Sequence, residues 1–307
     1  MKSKNALNVR LLLCSKFHRY LIIQGHCSLP ASQIKDLQLV EAEALHTNAS
    51  CTAIDSGLCS FELHILRMCD QALSDHCELI ITTTEDQQHH ILLKPLLDEI
   101  HGCTESEKLK QRFNDLLNER SITTMLDLGG RDRSGLDRRQ QYPNQNVTVI
   151  DIHPGDNVDI VGDAHELTDL LQPQSFGAVI SVAVFEHLAM PWKVVLGMNH
   201  CLQNNGLGFI VTHQTIGMHD LPWDFWRYSD SAWGSLFNQR TGFRILGRTL
   251  SEPVHIIPFH YFDVMADAER SAGFLMSCVL VEKTHTVQGI NWPVTMADFD
   301  SKEYPLE

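Results

Sequence analysis

The stretch of sequence from Met125 to Leu188 contains short apolar segments that are followed by glycine or acidic residues. It reads MLDLGGRDRSG at 125–135, VTVIDIHPGDNVDIVGDAHEL at 147–167 and FGAVISVAVFEHL at 176–188. Short segments that are β-branched and apolar on both faces are typical of parallel strands covered by helices on both sides. Ligands of such sheets bind beyond the carboxyl ends of the strands. This stretch therefore predicts a doubly wound α/β fold with a ligand site at that edge.

Glycines and acidic residues stand where these strands should end. Gly129 and Gly130 allow a sharp turn and bring bare backbone amides close to a ligand. Asp151 comes 22 residues after Gly129, a spacing at which its carboxylate can accept both hydroxyls of a ribose. Asp163 can accept from the exocyclic amine of an adenine, with the Ala164 amide nearby. Each residue could instead serve only a turn or a helix cap, but together and in this order they predict a nucleoside site.

With these residues, the segment from about Thr123 to Leu246 resembles the class I S-adenosylmethionine-dependent methyltransferases that act on small molecules. The resemblance implies that the first acid and the two glycines hold the methionine part of the cofactor. It also implies that the second acid binds the ribose and that the third flanks the adenine. The residues expected to contact the cofactor are Asp127, Gly129, Gly130, Arg131, Asp151, Ile152, Asp163, Ala164 and Ser181.

The sequence departs from the family pattern in several places. The loop DLGGRDRSG lacks the usual alternating glycines, and only eleven residues separate Gly135 from Val147, so the first helix must be short or missing. Gly177 stands where the family often has Asp, and the sequence QNNG at 203–206 replaces a Lys-Pro-Gly-Gly turn. The first two differences bear on the methionine pocket.

Length and charge limit the possible classes of protein. A chain of 307 residues is long enough for two domains, and its net charge is −14. Residues 1–120 contribute 12 − 16 = −4 and residues 121–307 contribute 12 − 22 = −10. Because phosphate binding requires a basic surface, this balance argues against a nucleic-acid partner.

The sequence predicts a cytoplasmic protein without a membrane span. The apolar run at Leu11–Cys14 is too short for a signal core or a bilayer crossing. The nine cysteines include no Cys-x-x-Cys pair. Reduced, mostly buried thiols are therefore expected rather than a structural zinc site.

The chain is predicted to contain three parts: a small all-β, sandwich-like domain at 1–98, a connecting helix at 99–120 and the methyltransferase-like domain at 121–307. Alternating apolar residues and turn signals indicate the β domain. Its strand candidates are Val9–Cys14, Arg19–Gln24, Leu37–Leu45, Cys51–Asp55, Phe61–Met68 and Glu78–Thr84. Leu37–Leu45 could instead be helical. A capping-box pattern at Thr104 and Glu107 indicates the helix, which is expected to pack on the sheet and to roof the cofactor.

The rest of the third part completes a Rossmann-like, mostly parallel sheet of seven strands with an antiparallel C-terminal hairpin. Pro191 suits the first turn of a helix, and Leu207–Thr212 is the expected fifth strand. A helix at Ser229–Phe237 should follow, and Phe243–Leu250 with Gly273–Lys283 should form the hairpin. The interval Ser251–Ala272 is expected to fold over the site.

The sequence HQTIGMHDLPWDFWRY at 213–228 begins where the fifth strand should end, at the ligand edge of the sheet. Its tryptophans offer flat apolar faces for a sugar or an aromatic acceptor, and its charged residues offer directional contacts. The candidate acceptor-binding residues are Asp220, Trp223, Asp224, Trp226 and Arg227. Alternatively, the tryptophans belong to the core and Arg227 pairs with Asp224 to hold the loop closed.

Three histidines are candidates for the base that would remove a hydroxyl proton during attack: His187, His213 and His219. His187 could instead fix the start of a helix. A metal ion held by His213, His219 and Asp220 is possible, but this spacing is not a recognised ligand pattern, and no metal is expected.

The resemblance implies a methyltransferase that uses S-adenosylmethionine and acts on a small molecule. The expected acceptor is a hydroxyl of a sugar or glycan precursor in polysaccharide biosynthesis. A nicotinamide-dependent oxidoreductase is the enzymatic alternative, because it shares the strand–glycine–strand–aspartate order. A catalytically degenerate fold kept as a cofactor-binding or scaffold module is the non-enzymatic alternative.

Overall fold

The computed structural model describes residues 7–17, 20–40, 44–53, 58–67, 73–102, 104–133, 135, 137–256 and 272–288. The chain divides into two compact units, Met1–Cys103 and Thr104–Glu307.

In its described residues, the first unit contains seven strands, one α-helix and a short 3-10 helix at Ala31–Gln33. The strands are β1 (Val9–Phe17), β2 (Tyr20–Cys27), β3 (Ile34–Val40), β4 (Ala44–Ala53), β5 (Cys59–Arg67), β6 (Glu78–Thr83) and β7 (Gln88–Leu92), and the α-helix is α1 (Leu93–Gly102). They form two antiparallel sheets, with the strand orders β1-β2-β5-β4 and β3-β6-β7.

Both sheets contribute to one hydrophobic core. Leu21 and Ile23 of β2 are fully buried together with Leu63 of β5, and Leu37 of β3 and Leu79 of β6 join them from the other sheet. Alternate residues of a strand point to the same face, so each sheet presents one apolar row to this core. The prediction of an N-terminal all-β region is confirmed to the extent of these two antiparallel sheets.

Strand β7 was not predicted from the sequence, and helix α1 was not predicted as a separate element, since only its last residues fall in the connecting helix expected at 99–120. The helical alternative for Leu37–Leu45 was wrong, because β3 runs to Val40 and β4 begins at Ala44. The short apolar alternation Gln88–Leu92 is mostly exposed, which is why its pattern was too weak to identify a strand.

The second unit contains a seven-stranded sheet. Its helices are α2 (Glu105–Glu119), α3 (Arg138–Gln141), α4 (Leu167–Leu170), α5 (Pro191–Cys201) and α6 (Ala232–Leu236). Its strands are β8 (Thr124–Leu128), β9 (Asn146–Asp151), β10 (Ile160–Val161), β11 (Phe176–Val182), β12 (Leu202–His213), β13 (Phe243–His255) and β14 (Ala272–Lys283).

The strand order of this sheet is β10-β9-β8-β11-β12-β14-β13. The first five strands in this order run parallel, whereas β14 runs antiparallel to both of its neighbours. The predicted Rossmann-like sheet with an antiparallel C-terminal hairpin is therefore confirmed. The order reverses at β8, which places a crevice at the carboxyl ends of β8 and β11.

Apolar side chains cover both faces of the sheet. On one face, Phe113 of α2 stacks on Phe209 of β12 with ring centroids 5.3 Å apart, and Leu117 packs in the same cluster. On the other face, Val194 of α5 and Trp233 of α6 are fully buried. This two-sided burial explains the continuous apolar character of the strands, which decided the fold prediction.

Helix α2 belongs to the second unit. Its N-cap is Thr104, whose hydroxyl accepts a hydrogen bond from the Glu107 amide at 3.4 Å. The predicted helix thus begins at the capping residue that the sequence indicated, whereas the preceding residues to Gly102 form the separate helix α1. Among the helices described, none combines the length and the apolar character that a bilayer crossing requires.

Three further elements of this unit were expected from the sequence: a short first helix, a covering segment at Ser251–Ala272 and a helix at Ser229–Phe237. The first helix of the sheet is short, as the spacing predicted, because α3 is a single turn. Strand β13 continues to His255, so the start of the interval Ser251–Ala272 is strand rather than a covering segment. The remainder of that interval, residues 257–271, lies outside the described residues. Helix α6 is shorter than the predicted Ser229–Phe237.

Candidate functional site

A cavity of about 580 Å³ lies at the carboxyl edge of the parallel strands. Its wall includes Gly129 after β8, Asp151 at the end of β9, and Asp163 with Ala164 after β10. These residues were predicted to meet at this edge, and the fold brings them to one cavity. The wall also includes Arg131 and Ile152, the two neighbours assigned to the same group.

The glycine turn after β8 leaves no room for side chains. Gly129 has a positive φ of 72°, and a Cβ atom on it would lie 2.3 Å from a methyl group of Val184. A Cβ atom on Gly130 would lie 2.1 Å from the Asp127 carboxylate oxygen Oδ2. Contacts below about 3 Å are not tolerated, so both positions require glycine for the close approach of neighbouring groups as well as for the turn.

The carboxylate of Asp127 is fully buried against Gly130 and pairs with Arg138. Arg138 Nη1 donates to Asp127 Oδ2 at 3.0 Å, and the cavity wall includes Arg138. Burial raises the pKa of Asp127 to about 6, although the adjacent guanidinium acts to lower it. The other oxygen, Oδ1, is buried without a hydrogen-bond partner among the described residues. The carboxylate therefore acts on the cavity through Arg138, a residue that the sequence analysis did not identify.

The carboxylate of Asp151 accepts hydrogen bonds from the backbone amides of two neighbouring loop residues. Its Oδ2 accepts from the Arg131 amide at 3.2 Å, and its Oδ1 accepts from the His153 amide at 3.0 Å. A carboxylate offers about four acceptor positions. These two hydrogen bonds thus leave acceptor capacity on both oxygens, and the side chain keeps an exposed fraction of 13%.

Asp163 and His165 form a connection from the end of β10 to the start of α5. Asp163 Oδ1 accepts from the His165 amide at 2.9 Å and from the His165 ring nitrogen Nδ1 at 2.6 Å. The other ring nitrogen, Nε2, accepts from the Met190 amide at 3.2 Å. Burial acts to raise the pKa of Asp163, but the hydrogen bonds and charge of His165 outweigh it, so the pKa is lowered. Both His165 contacts use Oδ1, so Oδ2 of Asp163, a residue of the cavity wall, keeps its capacity to accept hydrogen bonds.

Ser181 lies in the sheet next to the cavity. Its hydroxyl is fully buried and donates to the Leu128 carbonyl at 3.2 Å. Its neighbours Ile180 and Val182 belong to the cavity wall. This alternation follows from the pleat of β11, because adjacent residues of a strand point to opposite faces.

The first two turns of α2 also belong to the cavity wall, through Ser106, Glu107 and Lys110. The sequence predicted that this helix would pack on the sheet and roof the site, but it named Glu107 only as part of the capping box and did not single out Ser106 or Lys110. The sequence could have indicated them, because the capping residue Thr104 fixes where α2 begins and therefore which residues form its N-terminal turns.

Asp224 and Arg227 of the 213–228 segment pair with each other. The two guanidinium nitrogens Nη1 and Nη2 donate to Oδ1 and Oδ2 at 2.5 and 2.7 Å, and the Asp224 side chain is 1% exposed. The hydrogen bonds from Arg227 lower the pKa of Asp224 to about 2. The same carboxylate accepts from the His219 amide, and Arg227 donates to the Gly217 carbonyl. The pair therefore holds this loop in one conformation, as the structural alternative for these residues anticipated.

The two tryptophans of this segment differ in position. Trp223 is buried and belongs to the cavity wall. Trp226 is 38% exposed and donates from Nε1 to the Leu188 carbonyl at 2.7 Å. Asp220, the remaining candidate, pairs with Arg133 at 3.3 Å, and Arg133 also lines the cavity. The segment thus reaches the cavity mainly through Trp223.

The three candidate histidines gather around the fully buried carboxylate of Glu186. His213 Nε2 lies 3.2 Å and His187 Nε2 lies 3.9 Å from Glu186 Oε1. The His219 ring packs edge-on to both, with centroid distances of 4.9 Å to His187 and 5.5 Å to His213. Of these three described histidines, His187 belongs to the cavity wall. Burial lowers the pKa of His213, although the charge of Glu186 acts to raise it.

No family model and no curated protein matches this chain. Similarity was found to solved structures. A SAM-dependent methyltransferase from Archaeoglobus fulgidus is 13% identical with a TM-score of 0.42, and the match covers 62% of this chain and 99% of that one. A 1,6-didemethyltoxoflavin-N1-methyltransferase from Burkholderia thailandensis is 11% identical with a TM-score of 0.40, with coverages of 68% and 96%. A putative sarcosine dimethylglycine methyltransferase from Galdieria sulphuraria is 14% identical with a TM-score of 0.40, with coverages of 58% and 86%.

Proposed function

We propose that this protein is an S-adenosylmethionine-dependent methyltransferase that acts on a small molecule. The observation that carries the proposal is the position of three acids at the carboxyl ends of consecutive strands. Asp127 belongs to β8, Asp151 ends β9 and Asp163 follows β10. The latter two share the wall of one cavity with the glycine turn, which is the arrangement that a nucleoside requires at a sheet edge.

The ribose would bind to Asp151. Its two amide contacts come from Arg131 and His153 and fix the plane of the carboxylate, so the remaining lone pairs are held in a defined direction. A diol donates two hydrogen bonds, one to each oxygen. Asp151 therefore fits this role without rearrangement of the loop.

The adenine would lie between apolar side chains and the free oxygen of Asp163. Ile152, Ala164 and Leu188 supply apolar surface in the wall of the same cavity. The exocyclic amine of adenine can donate to the oxygen of Asp163 that His165 does not use. A mostly apolar wall with few directed polar groups is typical of cofactor sites.

The methionine end would meet charged residues. Arg138 and Lys110 are cations in the cavity wall, and Glu107 is a nearby anion. We assign the carboxylate of the amino acid to Arg138, because a guanidinium that shares one nitrogen with Asp127 retains other donors. Asp127 is then a positioning residue for Arg138, which modifies the direct contact that the family resemblance implies.

The cofactor, when bound, supplies a methyl group that its sulfonium makes electrophilic. The protein therefore has to align the acceptor atom and exclude water. In the metal-free protein, His187 is our candidate base. Its Nδ1 donates to the Trp223 carbonyl at 2.5 Å, so the lone pair is on Nε2 and can take a hydroxyl proton. Asp220 and Glu186 would stabilise the resulting imidazolium, since their oxygens lie 3.8 and 3.9 Å from Nε2.

The proposed acceptor is a hydroxyl group of a sugar or glycan precursor. The support is the flat apolar surface of Trp223 beside the imidazole of His187, both in the cavity wall. A role in polysaccharide biosynthesis and a cytoplasmic location belong to the same proposal. The nicotinamide-dependent alternative is less favoured, because it assigns no ligand contact to Asp163 and Ala164 in the cavity wall.

Calorimetric titration with S-adenosylhomocysteine tests the proposal. We expect one site of micromolar affinity in the wild type and at least about tenfold weaker binding in Asp151→Asn, because a hydrogen bond to a charged group contributes about 1.5 to 3 kcal/mol. Asp169→Asn is the matched control, since this acid is exposed on α4. No detectable binding, or equal binding by both variants, would contradict the proposal. Binding without methyl transfer to any of a panel of sugars and phenols would favour the scaffold alternative.

A further inference from the structure

The histidine cluster beside the cavity contains a set of groups suited to a metal ion. One ligand atom each from Glu186, His187 and His219 lies within 4.8 Å of the other two. Two imidazoles and one carboxylate form common sites for divalent transition metals, which bind their ligands at about 2.0 to 2.2 Å. Ligand atoms of one ion are therefore about 3 to 4 Å apart. The 3.9 Å between Glu186 Oε1 and His187 Nε2 already falls in this range.

The hydrogen bonds behind these side chains orient them as metal ligands. The His187 Nδ1 donates to the Trp223 carbonyl, and the His219 Nδ1 donates to the Gly217 carbonyl at 3.1 Å. Each ring thus carries its lone pair on Nε2. Backbone carbonyls that fix the tautomer of an imidazole in this way are the usual partners of metal-bound histidines.

Glu186 provides an independent observation. Its side chain is fully buried, and Thr212 donates to its oxygen Oε2. The other oxygen, Oε1, lacks a well-directed hydrogen bond among the described residues, although His213 Nε2 lies 3.2 Å away. A buried carboxylate is costly unless a positive charge compensates it. A cation between Oε1 and the two imidazoles would provide that charge.

We propose that Glu186, His187 and His219 bind one divalent transition-metal ion at the side of the cavity, with His213 next to the carboxylate as a positioning residue. This assignment differs from the sequence expectation of no metal, and its ligand set differs from the one weighed there. The metal set weighed from the sequence did not include Glu186. Glu186 is assigned as a ligand because its carboxylate is buried, which the sequence does not show.

The site has a consequence for the acceptor, which rests on the proposed function. An ion there would occupy the Nε2 lone pair of His187, so this histidine would no longer act as a base. The open coordination positions would take an oxygen of the acceptor, and a bound divalent ion lowers the pKa of such a hydroxyl. The class of acceptor this favours is a polyol or other oxygen-rich molecule that can bind a cation.

The test uses the full-length protein without a polyhistidine tag, after removal of metal by a chelator. Titration with Co²⁺ is followed by its visible absorption, and titration with Zn²⁺ is followed by calorimetry. We expect one equivalent of each ion to bind to the wild type, with a Co²⁺ spectrum typical of imidazole and carboxylate ligands. His219→Ala and Glu186→Gln should lose this spectrum and bind Zn²⁺ at least about tenfold more weakly.

His285→Ala is the control, because the chain has 17 histidines and this one is exposed at the surface. It should bind both ions as the wild type does. His219 is only partly buried, so its variant should remain folded, which thermal unfolding will verify. Equal binding by the wild type, His219→Ala and Glu186→Gln would overturn the proposal, and so would a wild type that takes up neither ion.

Titration of the metal-free protein with S-adenosylhomocysteine separates this proposal from the proposed function. Cofactor-product binding without a specific metal site would overturn the metal proposal alone. A specific metal site without cofactor-product binding would support the metal proposal and contradict the methyltransferase assignment.

Discussion

Arg138 Nη1 donates to the buried carboxylate of Asp127 at 3.0 Å, which ties the single-turn helix α3 to the end of strand β8. The short α3 begins eight residues after Gly130 and brings a guanidinium to the wall of the cavity. The two departures from the family pattern, an altered glycine loop and a reduced first helix, are therefore connected by one ion pair.

The first prediction concerns the pH dependence of stability. The pKa of Asp127 is raised from 3.8 to about 6. Its contribution to folding is therefore fully present below the unfolded pKa of 3.8 and is lost as pH rises through about 6. Between about pH 5 and about pH 8, the wild type should lose about 1.4 kcal/mol of unfolding free energy relative to Asp127→Asn. Urea denaturation of both proteins at the two pH values measures this difference.

Comparison with Asp127→Asn removes the titration of all other groups from the result. A difference between the two proteins that stays constant over this range would contradict the raised pKa of Asp127, because a folded-state pKa at or below 3.8 leaves the carboxylate ionised in both states above about pH 5.

The second prediction concerns the glycine turn. Gly130→Ala places a methyl group 2.1 Å from Asp127 Oδ2, and this carboxylate is buried and held by Arg138. We expect a loss of about 1 to 3 kcal/mol in unfolding free energy, as for other overpacked sites, together with weaker binding of S-adenosylhomocysteine. Gly234→Ala is the matched control, because the nearest atom there, Arg248 Nη1, is 3.8 Å away. Equal stability and binding in the two variants would contradict the described turn.

The third prediction concerns recognition of the base. If Asp163 accepts from the adenine amine, the inosine analogue of S-adenosylhomocysteine should bind the wild type about tenfold or more weakly. In Asp163→Asn, the new amide group donates to the inosine oxygen, so this preference should disappear or reverse. Calorimetric titration of both proteins with both ligands gives the four affinities. An unchanged preference in the variant would show that Asp163 does not contact the base.

The fourth prediction concerns the loop that carries Trp223. A double-mutant cycle with Asp224→Ala and Arg227→Ala should give a coupling of about 1 to 3 kcal/mol in unfolding free energy, because the pair is bidentate and its carboxylate is buried. Urea denaturation of the four proteins measures it. A coupling near zero would mean that the pair does not hold the loop, and both residues would again be available to an acceptor.

The sheet could be predicted from the sequence because its strands are apolar on both faces and end in glycine or aspartate. The same reasoning located Gly129, Asp151 and Asp163 at one edge, since the carboxyl ends of parallel strands meet there. Strand β7 and helix α1 could not be predicted in this way. Their apolar positions are partly exposed, so their patterns resemble those of loops.

The side-chain partnerships of the site could not be predicted either. Arg138 is 11 residues from Asp127, and Glu186 is 27 residues from His213. Each of these partnerships depends on a buried carboxylate. Asp224 and Arg227 were correctly named as a possible pair, as one of two alternatives for these residues. The sequence did not decide between that pair and a contact with an acceptor, since both uses require the same charges.

A crystal structure of the protein with S-adenosylhomocysteine tests the central claim most directly. We expect the ribose hydroxyls within hydrogen-bond distance of Asp151, the adenine amine at Asp163 and the amino-acid carboxylate at Arg138. A ligand bound outside this cavity, or a nucleoside that contacts neither Asp151 nor Asp163, would contradict the account.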